Sequence, residues 1–368
     1  MITIVSCGHK PDDERIYHRE IRSLSNAGYS IRYFTRWDGE MDLSSGNLEH
    51  INLQRNKYSL RKYIQFIVQN IEHTDVLHIH EFDLLPLTKK LKQKCKTKVI
   101  YDVHDTLRAM WDTFSTKKGV IKKLINSLFS AFEKYHLQFV DEVILANQPF
   151  EKTIYKKRGL PETIVENFPI IDRLNTVKPQ NENPIILYQG QVSSDRGLSQ
   201  LMDAFKLVLD FDSNIHLQII GPPRSEEFSK TLKQKVSQLG CGNNVEIIDD
   251  IPHDLIWRYM ENATIGIIPS LKLPRVMVDT PTKLFEYMAS GCVVVATDLP
   301  PVRHFLEGAG EIVIPESPQA MAGAIIKLLS NHDLYEAHYQ AGILKIQNEY
   351  NWNISEKRLL ELYKKVSV

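Results

Sequence analysis

The segment TPTKLFEYMASG, residues 280–291, places a cation and a carboxylate near a predicted helix start. Its Thr-Pro start is typical of a first helical turn, and its closing glycine is typical of a helix end. Helix N-terminal amides bind anions, so Lys283 beside Pro281 predicts a phosphate site. Glu286 can accept two hydroxyl hydrogen bonds. The alternative is that Glu286 is a solvated helix residue.

Other strand ends in the second half of the chain also suit an anionic ligand. Arg196 follows ILYQG and precedes a helix, where a guanidinium can reach a phosphate. Gly190 and Gly221 end two strands and allow a ligand to approach the backbone. Ile251 and Ser270 follow two more strands. Each feature has an ordinary structural explanation, but all fall at the carboxyl ends of strands in one predicted sheet, where ligands of such sheets bind.

Histidines end two predicted strands in the first half of the chain. His104, in YDVHD, is a candidate for contact with a ligand, but a histidine there can also be a structural hydrogen-bonding residue. The same two interpretations stay open for His78 and His80 in LHIHE. Glu81 and Asp105 are predicted to bind hydroxyl groups of a second substrate.

These residues sit on a regular alternation of strands and helices, which predicts an α/β protein with two Rossmann-like, doubly wound domains facing a central cleft. The predicted domains are residues 1–171 and 185–345, joined by the polar linker 172–184 and followed by a closing helix, 346–368. The predicted strands are ITIVSC, SIRYFT, DVLHIH, KVIYDV and EVILAN in the first half, and IILYQG, IHLQIIG, NVEIID, TIGIIPS, CVVVAT and EIVIP in the second.

Charge and composition exclude several functions. The chain has 45 basic and 45 acidic residues. Before residue 171 there are 26 basic and 21 acidic residues, so the first half has five excess positive charges and the second half has five excess negative charges. This pattern argues against nucleic-acid binding along the molecule. The four cysteines have no metal or redox spacing, and the N-terminus does not resemble a signal peptide. We therefore expect a cytoplasmic protein, with peripheral contact at the inner face of a membrane as an option.

A nicotinamide-binding function is disfavoured because the first strand of each half lacks the G-x-G-x-x-G pattern. SCGHKPDDE has one glycine, and the glycines of YQGQVSSDRG have the wrong spacing.

The motifs together resemble those of the retaining GT-B glycosyltransferases known as glycosyltransferase family 4, or group 1. The resemblance covers nearly the whole chain. It is carried in the first half by PDDERIYHREIRSLSNAGYSI, LHIHEFDLLPL and VIYDVHD, and in the second half by ILYQGQVSSDRGL, LQIIGPP, IPHDLIWRYMENATIGIIPS and PTKLFEYMASGCVVVATD.

The resemblance implies a UDP- or GDP-linked sugar donor, a glycan or lipid-linked acceptor, and no metal or other cofactor. By this comparison Glu286 binds the ribose hydroxyls. A second glutamate, usual eight positions earlier, is replaced by Val278, and Gln191 replaces a frequent arginine. The implied catalytic residues are His104, Arg196, Lys283 and Glu286. The implied donor-binding residues are Gly8, Gly190, Arg196, Gly221, Ile251, Pro281, Thr282, Lys283, Leu284 and Glu286, and the acceptor-binding residues are Asp13, Arg15, His80, Glu81 and Asp105.

Two alternatives remain at this stage. A sugar-nucleotide epimerase shares the GT-B fold but normally has additional carboxylates. A non-catalytic sugar-nucleotide-binding subunit is conceivable because Val278 replaces a glutamate.

Residues 116–136, TKKGVIKKLINSLFSAFEKYH, have apolar residues at helical spacing and four lysines near the start. One hypothesis is weak contact with an anionic membrane, and the other is packing of the apolar stripe on the sheet of the first domain.

Overall fold

A computed structural model of the chain describes residues 1–104, 107–170, 172, 174, 183–249 and 251–367. The chain divides into an N-terminal unit, Met1–Asn167 with Trp352–Val368, and a C-terminal unit, Phe168–Asn351. Most of the predicted linker, residues 172–184, lies outside the described residues.

The N-terminal unit is built on one sheet of seven parallel strands. The strands are β1 (Ile2–Val5), β2 (Ile31–Thr35), β3 (Leu48–Asn52), β4 (Val76–Ile79), β5 (Lys98–Val103), β6 (Glu142–Leu145) and β7 (Glu162–Ile164). Their order is β3-β2-β1-β4-β5-β6-β7. The helices are α1 (Arg22–Asn26), which continues a π-helical segment, Ile16–Ile21, then α2 (Leu60–Asn70), α3 (Leu85–Lys94), α4 (Leu107–Phe114) and α5 (Gly119–His136).

The strand order of this sheet reverses between β1 and β4. These two strands are buried along their whole length, which explains their continuous apolar runs, ITIV and VLHI. Ligands of doubly wound sheets bind beyond the carboxyl ends of the strands at such a reversal. In the N-terminal unit these ends are followed by Ser6 and His80.

The C-terminal unit repeats this plan with six parallel strands. They are β8 (Ile185–Gln189), β9 (His216–Ile220), β10 (Val245–Ile248), β11 (Ile265–Ile268), β12 (Val293–Thr297) and β13 (Gly310–Val313), in the order β10-β9-β8-β11-β12-β13. The helices are α6 (Leu198–Phe211), α7 (Glu226–Gln238), α8 (His253–Asn262), α9 (Thr282–Ala289), α10 (Pro300–Leu306), α11 (Pro318–Ser330) and α12 (His332–Asn348).

Helix α9 begins at Thr282, and its N-cap position is occupied by Pro281, without a capping hydrogen bond from a side chain. One face of the helix is buried. The Tyr287 hydroxyl on that face accepts a hydrogen bond from the Gln189 amide (2.9 Å) and donates one to the Leu187 carbonyl (3.0 Å). The Tyr287 ring occupies the space that a Cβ at residue 266 would take, and this residue is a glycine.

The last helix, α13 (Trp352–Val366), belongs to the N-terminal unit. The predicted closing helix, residues 346–368, is therefore two elements in the structure, the end of α12 and the whole of α13. Several side chains of α13 bond to the rest of the N-terminal unit. Among them, Trp352 Nε1 donates to Ser23 Oγ, Ser355 Oγ donates to the Glu166 carbonyl, and the Tyr363 hydroxyl bonds to His78 Nδ1.

All of the predicted strands are present, so the predicted pair of doubly wound sheets is confirmed. Two strands, β3 and β7, were not predicted. Both are edge strands: β3 includes exposed or half-buried polar residues, and β7 has three half-buried residues. Within the described part of the chain, no helix combines the length and the apolar character that crossing a membrane requires.

Candidate active site

A pocket of about 180 Å³ lies in the C-terminal unit at the start of α9. Its lining includes both predicted phosphate cations, Arg196 and Lys283, together with Pro281 and Thr282. The first amides of a helix have no partner within that helix. The pocket therefore combines two positive side chains with a helix N-terminus, an arrangement that favours an anionic ligand.

Lys283 lies across the backbone at the end of β8. A Cβ at residue 190 would overlap the end of the Lys283 side chain, so Gly190 makes this position of the lysine possible. The Lys283 Nζ is 5.1 Å from the centroid of the Tyr188 ring. Burial, together with the positive charge of Arg196, lowers the pKa of Lys283 to about 7.

Glu286 follows Lys283 by three residues, which places the two side chains on neighbouring positions of the α9 surface. The side chain is half-buried, and its Oε2 accepts a hydrogen bond from Gln189 Nε2 at 2.6 Å. Gln189 is the last residue of β8, so this contact ties the carboxylate to the carboxyl end of the sheet. A carboxylate oxygen has more than one lone pair, and Glu286 can accept further bonds from ligand hydroxyls.

The other predicted donor-binding residues of this unit have different positions. Gly221 has a φ of 141°, and a Cβ there would overlap the Gly190 carbonyl, so its role is close packing of two strand ends. Ile251 is half-buried. The Leu284 side chain is fully buried and its amide donates to the Pro281 carbonyl (2.9 Å). A donor contact of Leu284 stays a prediction.

Val278, at the position of the expected first glutamate, is 40% exposed. The neighbouring Asp279 lines the pocket, but its Oδ2 accepts a hydrogen bond from Arg275 Nε at 2.7 Å. The carboxylate that follows Val278 in the sequence, that of Asp279, is therefore already paired with Arg275, which lines the same pocket.

In the N-terminal unit, Glu81 organises the loop after β1. Its Oε1 accepts hydrogen bonds from Ser6 Oγ (2.7 Å) and the Gly8 amide (2.9 Å), and both of its oxygens accept from the Cys7 amide. If Glu81 binds an acceptor as predicted, the same carboxylate must also hold the loop after β1. Gly8, which was predicted to bind the donor, lies in that loop.

Asp13 and Arg15 also support this part of the unit. Asp13 Oδ1 accepts hydrogen bonds from the amides of Arg15 (2.9 Å) and Ile16 (3.0 Å). The Arg15 guanidinium is buried and donates to Asp102 Oδ2 (2.8 Å) and to the Val165 carbonyl (2.6 Å). These bonds give the Arg15 guanidinium a structural role, and its acceptor contact stays a prediction.

His104 follows β5 and remains partly exposed, with 15% of its side-chain surface accessible. Its Nε2 lies 3.0 Å from Nδ1 of the buried His80, and its ring meets the His9 ring edge to face at 4.8 Å. His80 is 1% exposed, and its acceptor contact stays a prediction. Asp105, the last predicted acceptor residue, lies outside the described residues.

The C-terminal unit matches a known protein family. Residues 172–345 match the family model described as "Glycosyl transferases group 1". The chain is also 21% identical over 310 residues to an uncharacterised glycosyltransferase from Methanocaldococcus jannaschii, covering 81% of this chain and 77% of the relative. The protein is a glycosyltransferase.

A second relative of this glycosyltransferase is the lipopolysaccharide 1,2-N-acetylglucosaminetransferase of Salmonella typhimurium, at 25% identity over 66% of this chain and 67% of the relative. Among solved structures, sucrose-phosphate synthase from Thermosynechococcus elongatus has a TM-score of 0.80 at 18% identity, covering 99% and 98% of the two chains. HepE from Anabaena, in complex with UDP and glucose, has a TM-score of 0.74 at 15% identity, covering 99% of each chain. These similarities establish the GT-B fold of the glycosyltransferase.

Several residues that shape the sites of this glycosyltransferase were not among those predicted. At the end of β8, Gln189 donates a hydrogen bond to Glu286, and the Tyr188 ring lies beside Lys283. Their position directly before Gly190 was the available signal. In the N-terminal unit, Glu20 and Asp102 form ion pairs with Arg15. Asp102 lies inside a buried strand, where a carboxylate requires a partner.

Proposed function

We propose that this glycosyltransferase moves a sugar from a UDP- or GDP-linked donor to a glycan or lipid-linked acceptor, with retention of anomeric configuration and without a metal ion. The pocket beside α9 carries the proposal, because Arg196 and Lys283 line it together with the residues that begin the helix. This arrangement matches the charge of a nucleoside diphosphate.

The reaction breaks the bond between the anomeric carbon of the sugar and the diphosphate oxygen. That oxygen gains negative charge as the bond breaks, so fixed positive groups beside it lower the barrier. Arg196 and Lys283 supply this charge in the proposal, and a divalent ion is not needed for it. The acceptor hydroxyl forms the new bond to carbon, and its proton passes to the departing diphosphate.

Glu286 is assigned to the ribose hydroxyls of the donor. The support is its position three residues after Lys283 and its hydrogen bond from Gln189, which directs the carboxylate to the same strand end as the cations. Among the structural neighbours, HepE holds UDP with glucose, so uridine donors are the first to test.

A panel of UDP- and GDP-sugars, measured by calorimetry and by product analysis, tests the proposal. We expect one donor class to bind, and Arg196→Ala to weaken binding of the nucleoside diphosphate at least tenfold while binding of the nucleoside alone stays unchanged. Arg258→Ala is a matched control, because Arg258 of α8 is exposed and does not line the pocket. Equal effects of the two substitutions, or formation of an epimerised nucleotide sugar in place of transfer, would contradict the assignment.

Retention and metal independence need separate measurements on the same transfer reaction. NMR of the anomeric proton should show the same configuration in donor and product. Activity should persist in excess chelator. Complete loss of transfer that added Mg²⁺ or Mn²⁺ restores would contradict the role given to Arg196 and Lys283.

Weak membrane contact through α5 is proposed as the route to a lipid-linked acceptor. An apolar row, defined by Val120, Ile121, Leu124, Leu128 and Phe132, is exposed along this helix, and Val120 has 82% of its surface accessible. Half-buried Ile125 and Phe129 occupy another side, where Phe129 meets the rings of Phe82 and Trp111. The apolar residues of α5 thus do not form a single buried stripe. Lys117, Lys118 and Lys123 are exposed near the start of the row, which suits an anionic surface.

A further inference from the structure

A cluster of ionisable side chains is buried below His104 in the N-terminal unit. Arg15, Glu20, His78, His80 and Asp102 are each at most 3% exposed. They come from the loop after β1, the π-helical segment, β4 with the residue after it, and β5. Burying five ionisable groups raises the free energy of the folded protein unless the groups pair with one another. The pairing of these groups, and their contacts with the partly exposed His104, therefore decide what the cluster can do.

The charges within the cluster are compensated by Arg15. Its Nη2 is 2.8 Å from Asp102 Oδ2, and its Nε is 3.0 Å from Glu20 Oε1. Burial opposes ionisation of Asp102, yet the adjacent guanidinium holds its pKa well below the usual range. Burial and the charge of Asp102 raise the pKa of Glu20 well above its usual range. Of the two carboxyl groups beside Arg15, Asp102 is therefore the one favoured to carry the negative charge.

A metal ion is the other explanation for these residues, because ligand atoms of Glu20, His78, His80 and Asp102 lie within 4.8 Å of one another. The guanidinium of Arg15 already contacts both carboxylates, however, and supplies the positive charge that they require. Burial also lowers the pKa values of His78 and His80, so both rings are neutral hydrogen-bonding groups.

The cluster reaches the surface through His104. His80 Nδ1 lies 3.0 Å from His104 Nε2, and Asp102 Oδ2 lies 3.6 Å from His80 Nδ1 and 3.7 Å from His104 Nε2. Asn147 Nδ2 donates to the His104 carbonyl at 2.8 Å and fixes the backbone. One nitrogen of the His104 ring is therefore directed to the buried cluster, and the other is left for a ligand.

We propose that His80 is a positioning residue for His104: a hydrogen bond between His80 Nδ1 and His104 Nε2 fixes the ring, so that His104 Nδ1 is the nitrogen that contacts substrate. Asp102, held by Arg15, supports this orientation from the same side. The inference rests on the proposed catalytic role of His104, but the ring orientation can be measured without any reaction.

Replacement of His80 by asparagine and by leucine separates positioning from packing. The amide nitrogen of asparagine occupies nearly the place of histidine Nδ1, so H80N should keep kcat within about threefold of the wild type. H80L should lower kcat at least tenfold with little change in KM for the donor, whose proposed phosphate cations are in the C-terminal unit. Unchanged thermal melting and nucleotide affinity would establish that both variants fold.

Nitrogen NMR of histidine-labelled protein provides the readout that a structural role alone would not change. In the wild type and H80N, His104 should show one fixed tautomer, and in H80L it should show the averaged shifts of a freely exchanging ring. Averaged shifts in the wild type, full activity of H80L, or a stoichiometric metal ion in the purified protein would overturn the inference. A fixed tautomer combined with full activity of His104→Ala would instead contradict the proposed catalytic role of His104.

Discussion

At the scale of single residues, the α9 surface brings together groups whose charges depend on one another. Glu286 accepts from Gln189, and Lys283 lies across Gly190 under the influence of Arg196. The buried face of α9 is formed by other residues, among them Leu284, Phe285 and Tyr287. Substitutions here should therefore affect ligand binding more than folding.

Replacing Glu286 by alanine should weaken binding of the donor nucleotide and remove most of the turnover. Hydrogen bonds to a charged group contribute about 1.5 to 3 kcal/mol, so the affinity should fall roughly 10- to 150-fold. Calorimetry with the nucleoside diphosphate measures this loss. Glu227→Ala, at an exposed glutamate of α7, is the control and should bind as the wild type does. Wild-type affinity in a folded Glu286→Ala protein would disprove the ribose assignment.

The pH dependence of binding follows from the pKa of Lys283, which burial lowers to about 7 in the free protein. Below this pH the lysine is charged and can bind a diphosphate; above it, binding must first take up a proton. Affinity should therefore fall as pH rises from about 7 to 9, and calorimetry in buffers of different ionisation heat should detect proton uptake near pH 8. Lys283→Arg, which stays charged, should bind without this uptake. The same proton uptake in both proteins would assign it to another group.

At the scale of elements, the position of α9 against the sheet depends on close packing at a glycine of β11. Tyr287 joins α9 to β8 by two hydrogen bonds, and its ring fills the space beside Gly266 of β11. The position of Glu286 thus depends on a contact in the core that no ligand touches.

Substitution of Gly266 by alanine should destabilise the C-terminal unit by about 1 to 3 kcal/mol, because the new methyl group overlaps an immobile ring. Urea unfolding measures the change. Gly323→Ala is the matched control: this glycine lies in α11 with open space around its Cβ position, and alanine there should stabilise by about 0.5 to 1 kcal/mol. Equal stability of the two variants would show that the Tyr287 contact is not rigid.

The sequence predicted elements best where burial leaves a continuous apolar run. The central strands of both sheets were found for this reason, whereas the edge strands β3 and β7 were missed because they are partly exposed or short. Likewise, Arg196 and Lys283 were predicted because a strand end or a helix start marks them locally. The cluster of Arg15 with Asp102 was not predicted, because these residues are 87 positions apart and meet only through the order of the strands.

At the scale of the whole molecule, the two halves of the chain differ in charge and in exposed apolar surface. The basic excess lies before residue 171, and the exposed apolar row of α5 lies in the same half. Exposed apolar residues beside lysines favour an anionic interface over neutral lipid, because the lysines add attraction to the negative headgroups.

Cosedimentation with vesicles containing anionic lipid should detect reversible binding at low salt that weakens as salt increases. Lysines near an anionic surface contribute about 1 kcal/mol each, so replacing Lys117, Lys118 and Lys123 by glutamine should reduce the partition coefficient at least tenfold. Lys122 is left unchanged because it bonds to Asp112. The matched control replaces three exposed lysines on other helices: Lys230, Lys233 and Lys357.

The apolar row can be tested separately by replacing Leu124 and Leu128 with glutamine, which preserves the charge of α5. If the helix inserts its apolar face, this variant should lose binding even at low salt, whereas purely electrostatic attraction would leave it bound. Loss in the lysine variant alone would therefore indicate adsorption without insertion. If both variants bind vesicles as strongly as the control does, α5 is not the membrane contact. If all the variants still transfer sugar to a soluble acceptor, the substitutions affect membrane binding alone and leave the pocket beside α9 intact.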